Sequence, residues 1–151
     1  MLLRSLLIAT ALPLVLAACA GTPAPGPDAA SPGPLEAQGA WKLESATAAD
    51  GAVLLPAGSG YRLQFSDHKI NVLGGCNRMF GGYALSAGTL RIGALASTRM
   101  ACPEPAMQHD ATVARLLEQP LSMSLMESHP EQLRLKTPAG DTLSFTAIPL
   151  E

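Results

Sequence analysis

The chain has little charge, few aromatics, few cysteines and no long apolar run, and each shortage excludes something. Lys and Arg total 10 against 12 Asp and Glu, charged residues make up 15% of the sequence, and no basic block exists. Nucleic acid requires clustered cations to neutralise its phosphates, so it is excluded as a partner. Aromatics are one Trp, two Tyr and three Phe, and the high hydrophobic share comes largely from the N-terminus and from Ala. His68, His109 and His129 are scattered rather than spaced as metal ligands, and no Met-x-x-Met cluster occurs. Methionine therefore reads as adaptable core filler. No Gly-x-Ser-x-Gly elbow is present, and the Gly74-Gly75 pair is followed by neither Lys-Ser/Thr nor a helix start, which argues against a phosphate cradle.

What is present begins at the N-terminus. Arg4 supplies a positive start, Leu6 to Leu16 is an apolar segment broken by Pro13, and Ala17-Ala18 precede Cys19. Spanning a bilayer takes about 20 apolar residues, and this run is shorter, so it reads as an export signal. A cysteine at the small-residue boundary favours lipoprotein processing, with diacylglycerol accepted by the Cys19 thiol. Ala20 follows, with no Asp to suggest inner-membrane retention. The expected organisation is a lipoprotein signal peptide at 1–18, then a lipidated Cys19 and a disordered Pro/Gly/Ala tether over 19–40. A domain of about 110 residues follows at 41–151. The expected location is the outer membrane, with the domain facing the periplasm and surface exposure left open.

From Trp41 the pattern becomes short alternating runs between turns. Leu63 and Phe65 alternate with Arg62 and Gln64, Ser66-Asp67-His68 forms a turn, and Lys69 to Leu73 returns. Thr89 to Ile92, Leu121 to Leu125, Leu133 to Leu135 and Leu143 to Phe145 read as further strands. One segment departs from the two-residue period. Glu104 to Gln119 places Met107, Ala111, Ala114 and Leu117 at helical spacing, with Pro105 in the first turn and Pro120 as terminator. His109, Asp110, Glu104 and Glu118 fall on its solvated face. His109 and Asp110 are adjacent on the helix, about 100° apart, and cannot orient each other as a catalytic pair. The fold expected is mainly β (α+β), a small antiparallel meander or partly open barrel, with one helix between the sixth and seventh strand regions.

With Cys19 assigned, Cys76 and Cys102 remain as an even pair in an oxidising compartment. Their separation is far from the two-residue spacing of redox dithiols, and a metal site lacks further ligands, so a structural bridge is the favoured reading over both. The glycines around Cys76, Gly74-Gly75 and Gly81-Gly82, suggest a sharp bend or bulge. Arg78 and Arg99 flank the two cysteine segments. Either they satisfy loop carbonyls or carboxylates, or together they bind a carboxylate or lipid headgroup.

The residues GGCNRMFGGY and TLRIGALASTRMACP, with a helix opening at Pro105-Ala106-Met107, resemble the META domain, the HslJ-like family of bacterial envelope proteins. The opening Trp41-Lys42-Leu43 fits the same pattern, and the likeness runs from Trp41 to Phe145. The resemblance implies a small antiparallel β fold with one helix and an envelope role linked to stress response or secretion. It supplies no catalytic residues. The functional expectation is a non-enzymatic, cofactor-free lipoprotein, anchored in the membrane through Cys19, that supports envelope integrity or stress tolerance through protein or lipid contacts. The alternative is a small-ligand module using an apolar cavity inside the sheet.

Overall fold

Alternation of side chains dictates most of the architecture. In a computed structural model, which describes residues 33–149, the strands β1 (Ala40–Thr47), β2 (Val53–Leu55), β3 (Arg62–Ser66), β4 (Lys69–Leu73), β5 (Met79–Ser86), β6 (Thr89–Ile92) and β7 (Ala96–Ser97) precede a helix. The helix α1 (Ala106–Leu117) is followed by β8 (Leu121–Met126), β9 (Gln132–Lys136) and β10 (Thr142–Ile148). Every pairing between strands is antiparallel. Cys19, the expected signal segment and most of the expected tether lie outside the described residues.

Eight strands close on themselves in the order β1, β3, β4, β5, β6, β8, β9, β10, because β1 pairs with both β3 and β10. The β-rich fold with one helix is borne out, and the barrel is closed rather than partly open. Closure removes the exposed edges that an open meander would present. A bulge between Leu43 and Ser45 lets β1 bend and meet both neighbours. Two-residue turns set the β3–β4 and β5–β6 registers, Ser66 facing Lys69 and Ser86 facing Thr89. Asp67, His68 and Ala87 take positive φ there, as the right-handed twist of such hairpins demands.

Inside the barrel, alternate residues fill the space. Leu63, Phe65, Leu90, Leu133 and Phe145 are all buried in one apolar cluster, joined by Trp41, Ile70, Leu135 and Leu143. A barrel of eight strands is just wide enough for its side chains to fill. The space required by the cavity alternative is therefore taken by core residues.

Three local expectations change. The domain starts before Trp41: Leu35 is 1% exposed within the core, and its carbonyl accepts the Trp41 indole N–H at 3.0 Å. Glu36 adds a second tie, accepting the Tyr83 hydroxyl at 2.7 Å. The expected sharp bend occurs at Gly74–Asn77, with Gly74 at positive φ, but Gly81 and Gly82 lie in the continuous strand Met79–Ser86, paired to Ile70 and Lys69. Glycine there leaves room for the 93–95 loop, since a Cβ on Gly81 would press on the Leu95 side chain and the Ala94 carbonyl. Finally, α1 buries Asp110, Val113, Leu116 and Leu117, a different face from the expected Met107–Ala111–Ala114 stripe. Leu117 alone belongs to both.

Candidate functional site

The cysteine motifs converge at the start of α1. Cys76 and Cys102 form a disulfide with Cα atoms 6.0 Å apart, joining the loop after β4 to the segment before the helix. The bridge spans 26 residues of sequence. In the chain-entropy model such a closure stabilises by roughly 3–4 kcal/mol.

Beside it lies a polar cluster that the sequence reading missed. Asp110, expected on the solvated face, is only 7% exposed. Its Oδ1 accepts the Tyr61 hydroxyl at 2.6 Å, and its Oδ2 accepts the Asn77 backbone N–H at 2.7 Å and side-chain amide at 3.1 Å. Three donors satisfy the buried carboxylate. Burial, and then the hydrogen bond to Asp110, raise the Tyr61 hydroxyl well above the usual phenol range. Gly75 is required here, because a Cβ would collide with the Asp110 carboxylate and the Tyr61 ring. One signal was available in the sequence: Asp110, Val113 and Leu117 stand at i, i+3 and i+7, the spacing of a single buried helix face.

Asn77 links this cluster to the second motif. Its Oδ1 accepts the Thr98 hydroxyl at 3.0 Å and the Met100 N–H at 2.8 Å. Thr98 Oγ1 in turn accepts the Arg78 N–H at 3.1 Å, and the Thr98 N–H reaches the Arg78 carbonyl at 3.0 Å. Gly75-Cys76-Asn77 and Thr98-Arg99-Met100 are thus held together, with Asp110 beneath them. These polar groups are saturated by one another.

Arg78 and Arg99 are brought close in the backbone but do not share a site. Both are exposed, and among the described residues the ion pair found is Lys42–Glu44, at 3.2 Å. Arg99 lines a groove between the 95–101 segment and α1, whereas Arg78 lies outside it. The groove has a volume of about 440 Å³, and Leu95, Met100, Met107, Ala111 and Ala114 form its apolar lining. Met100 is 61% exposed and Met107 38%, so these two are not core filler. Thioethers on an open surface adapt to varied apolar partners. The Ser97 hydroxyl donates to the Thr98 carbonyl at 3.0 Å. The groove is a solvent-facing, largely apolar surface with one cation, Arg99, in its lining.

Comparison with known proteins agrees with the fold. The family model for the META domain matches residues 34–149. Among solved structures, the chain is similar to an NMR structure of a protein from Burkholderia xenovorans, with a TM-score of 0.67 and 29% identity over 85% of this chain and 96% of that one. A second NMR structure matches with a TM-score of 0.54 and 26% identity, over 78% of this chain and 94% of that one. A crystal structure of a DUF4847 family protein from Bacteroides vulgatus shares the fold, with a TM-score of 0.51 and 12% identity over 78% and 97% of the two chains. No curated protein sequence matches. With the family model covering nearly all of the described residues, the chain belongs to the META domain family.

Proposed function

We propose that this chain is a non-enzymatic contact module of the bacterial envelope, held at the outer membrane by a lipid on Cys19 and facing the periplasm. Its task is to support envelope integrity or stress tolerance by binding other envelope components. The observation that carries this reading is the division of labour at the cysteine motifs. Tyr61, Asn77, Thr98 and Asp110, the groups with chemical potential, are bonded to one another, while an apolar groove beside them faces solvent. The export signal, the Cys19 boundary and the Cys76–Cys102 bridge suit an oxidising compartment.

Two measurements test it. Globomycin should cause a larger precursor to accumulate, and Cys19→Ala should move the chain out of the membrane fraction. Photo-crosslinking from position 107 in cells should then capture an envelope component, and a probe at exposed Val53 should capture far less. An unchanged precursor, or equal capture from both positions, refutes the reading.

A further inference from the structure

The segment Leu95–Met100 carries an unused strand edge. Ala96 pairs with Phe80, the Thr98 N–H bonds the Arg78 carbonyl, and the Met100 N–H bonds the Asn77 side chain, so the N–H groups of the even-numbered residues turn towards β5 and the Asn77 that precedes it. The Leu95 N–H points the other way, to Glu118 Oε1 at the end of α1, at 2.8 Å. By the alternation of antiparallel pairing, Ser97 and Arg99 share that outward direction. Among the described residues, the N–H and C=O of Ser97 and Arg99 have no hydrogen-bond partner outside the strand pairing.

This edge forms one wall of the groove. The opposite wall is α1, which runs antiparallel to the segment: Glu118 reaches Leu95 at one end, and Met107 and Asp110 lie by Asn77 at the other. Small residues Ala111 and Ala114 hold the helix wall low, and Met100 and Met107 join Arg99 in the lining. A strand edge, a facing helix, an adaptable apolar lining and a cation together specify an extended polypeptide.

We propose that a partner protein docks here by adding an extended segment as a strand along Ser97 and Arg99, between Leu95–Met100 and α1. An apolar side chain of the segment packs on Met100 and Met107, and a carboxylate meets Arg99. The main chain supplies the hydrogen bonds and the pockets supply the selectivity, the logic of strand addition. An acyl chain could cover the apolar lining but would leave the Ser97 and Arg99 peptide groups buried without partners, which is costly. A second copy would have to offer its own edge from behind its own α1. The proposal rests on the contact-module reading and narrows it to a peptide in this groove.

The test uses the purified full chain to select binders from a random heptapeptide phage library. The best peptide family is then synthesised and titrated by fluorescence anisotropy. The expected family alternates apolar residues and carries Asp, Glu or a free C-terminal carboxylate. Methylating the peptide's amide nitrogens at one alternate set of positions should weaken binding at least tenfold, and methylating the other set should not. This readout leaves the protein unaltered. Ser97→Pro deletes the outward N–H and should weaken binding to a similar degree, whereas Ser97→Ala should bind as the parent does. Arg99→Glu should turn the selected family from acidic to basic. No enriched family, tolerance of both methylated sets, binding only by a dimer in sedimentation, or displacement of the peptide by phosphatidylglycerol vesicles overturns the proposal. If crosslinking from position 107 still captures a partner after such a result, the contact-module reading survives without the strand.

Discussion

Each of the two tyrosines in the chain donates its hydroxyl to a carboxylate, and the two pairs differ mainly in access to water. Tyr61 meets Asp110 at 2.6 Å inside the domain, with two further donors from Asn77. Tyr83 meets Glu36 at 2.7 Å near the surface, where the carboxylate also faces the His68 and Gly33 N–H groups at 3.4 Å. The first pair braces the cysteine loop against α1. The second fastens the N-terminal 33–36 segment to the barrel wall. Similar chemistry thus serves as a buried brace at one place and a surface latch at the other. What separates them is the cost of leaving a group unpaired, which is high only where water cannot step in.

Experiments that loosen each pair in turn should separate the two roles. The largest effect is expected from the bridge that frames the brace. Cys76→Ser with Cys102→Ser should lower unfolding free energy by roughly 3–4 kcal/mol in urea titrations. Asp110→Ala should come next, at about 3 kcal/mol, because it strands several buried donors at once. Asp110→Asn should recover part of that loss. If Asp110→Ala costs no more than Glu36→Ala, the distinction between brace and latch fails.

Hydroxyl deletions give a finer comparison. Tyr61→Phe should cost about 1–2 kcal/mol and Tyr83→Phe about 0.5 kcal/mol, both read by thermal and chemical denaturation. Tyr83 also packs edge-on against Phe65, at 5.0 Å between ring centres, and that contact survives in Tyr83→Phe.

The smallest effect is a pH dependence at the latch. The Tyr83 hydroxyl, helped by the His68 and Gly33 N–H groups, holds the Glu36 carboxyl below its ordinary value of 4.5. The folded state therefore binds its proton less readily than the unfolded chain does. Its contribution is complete above the ordinary value and disappears as pH falls below it, through the lower folded-state value. Glu36→Gln should flatten the acid side of the stability profile in that window and leave neutral pH nearly unchanged.

Much of the fold was legible because alternation survives in the sequence. Leu63 and Phe65, Leu133 and Leu135, and Leu143 and Phe145 announce their strands, and Asp67-His68 announces a turn. β5 was hidden because Gly81 and Gly82 carry no side chain to alternate, and their reason for being there is the 93–95 loop crossing close by. β2 and β7 are three and two residues long, too short to show a period. At the site, the cysteine pairing and the two motifs could be read, but not their purpose. An aspartate on a helix reads as solvated unless its partners are known, and Tyr61 and Asn77 are 49 and 33 residues away. Met100 and Met107 deceived in the opposite direction, because apolar residues suggest a core until the surrounding surface is seen.

Asn77 carries one last consequence. Its side-chain carbonyl oxygen accepts from Met100 N–H just before β5 begins at Met79. A side chain is standing in for main chain and adding one more rung to the ladder. That substitution releases the Asn77 peptide N–H to turn inward, to Asp110. One residue thereby faces two neighbours at once, where the chain passes from the bridge at Cys76 into the barrel wall at β5. Asp in its place would keep the acceptor and lose the amide donor, setting two carboxylates against each other. Asparagine is the side chain that fits both obligations.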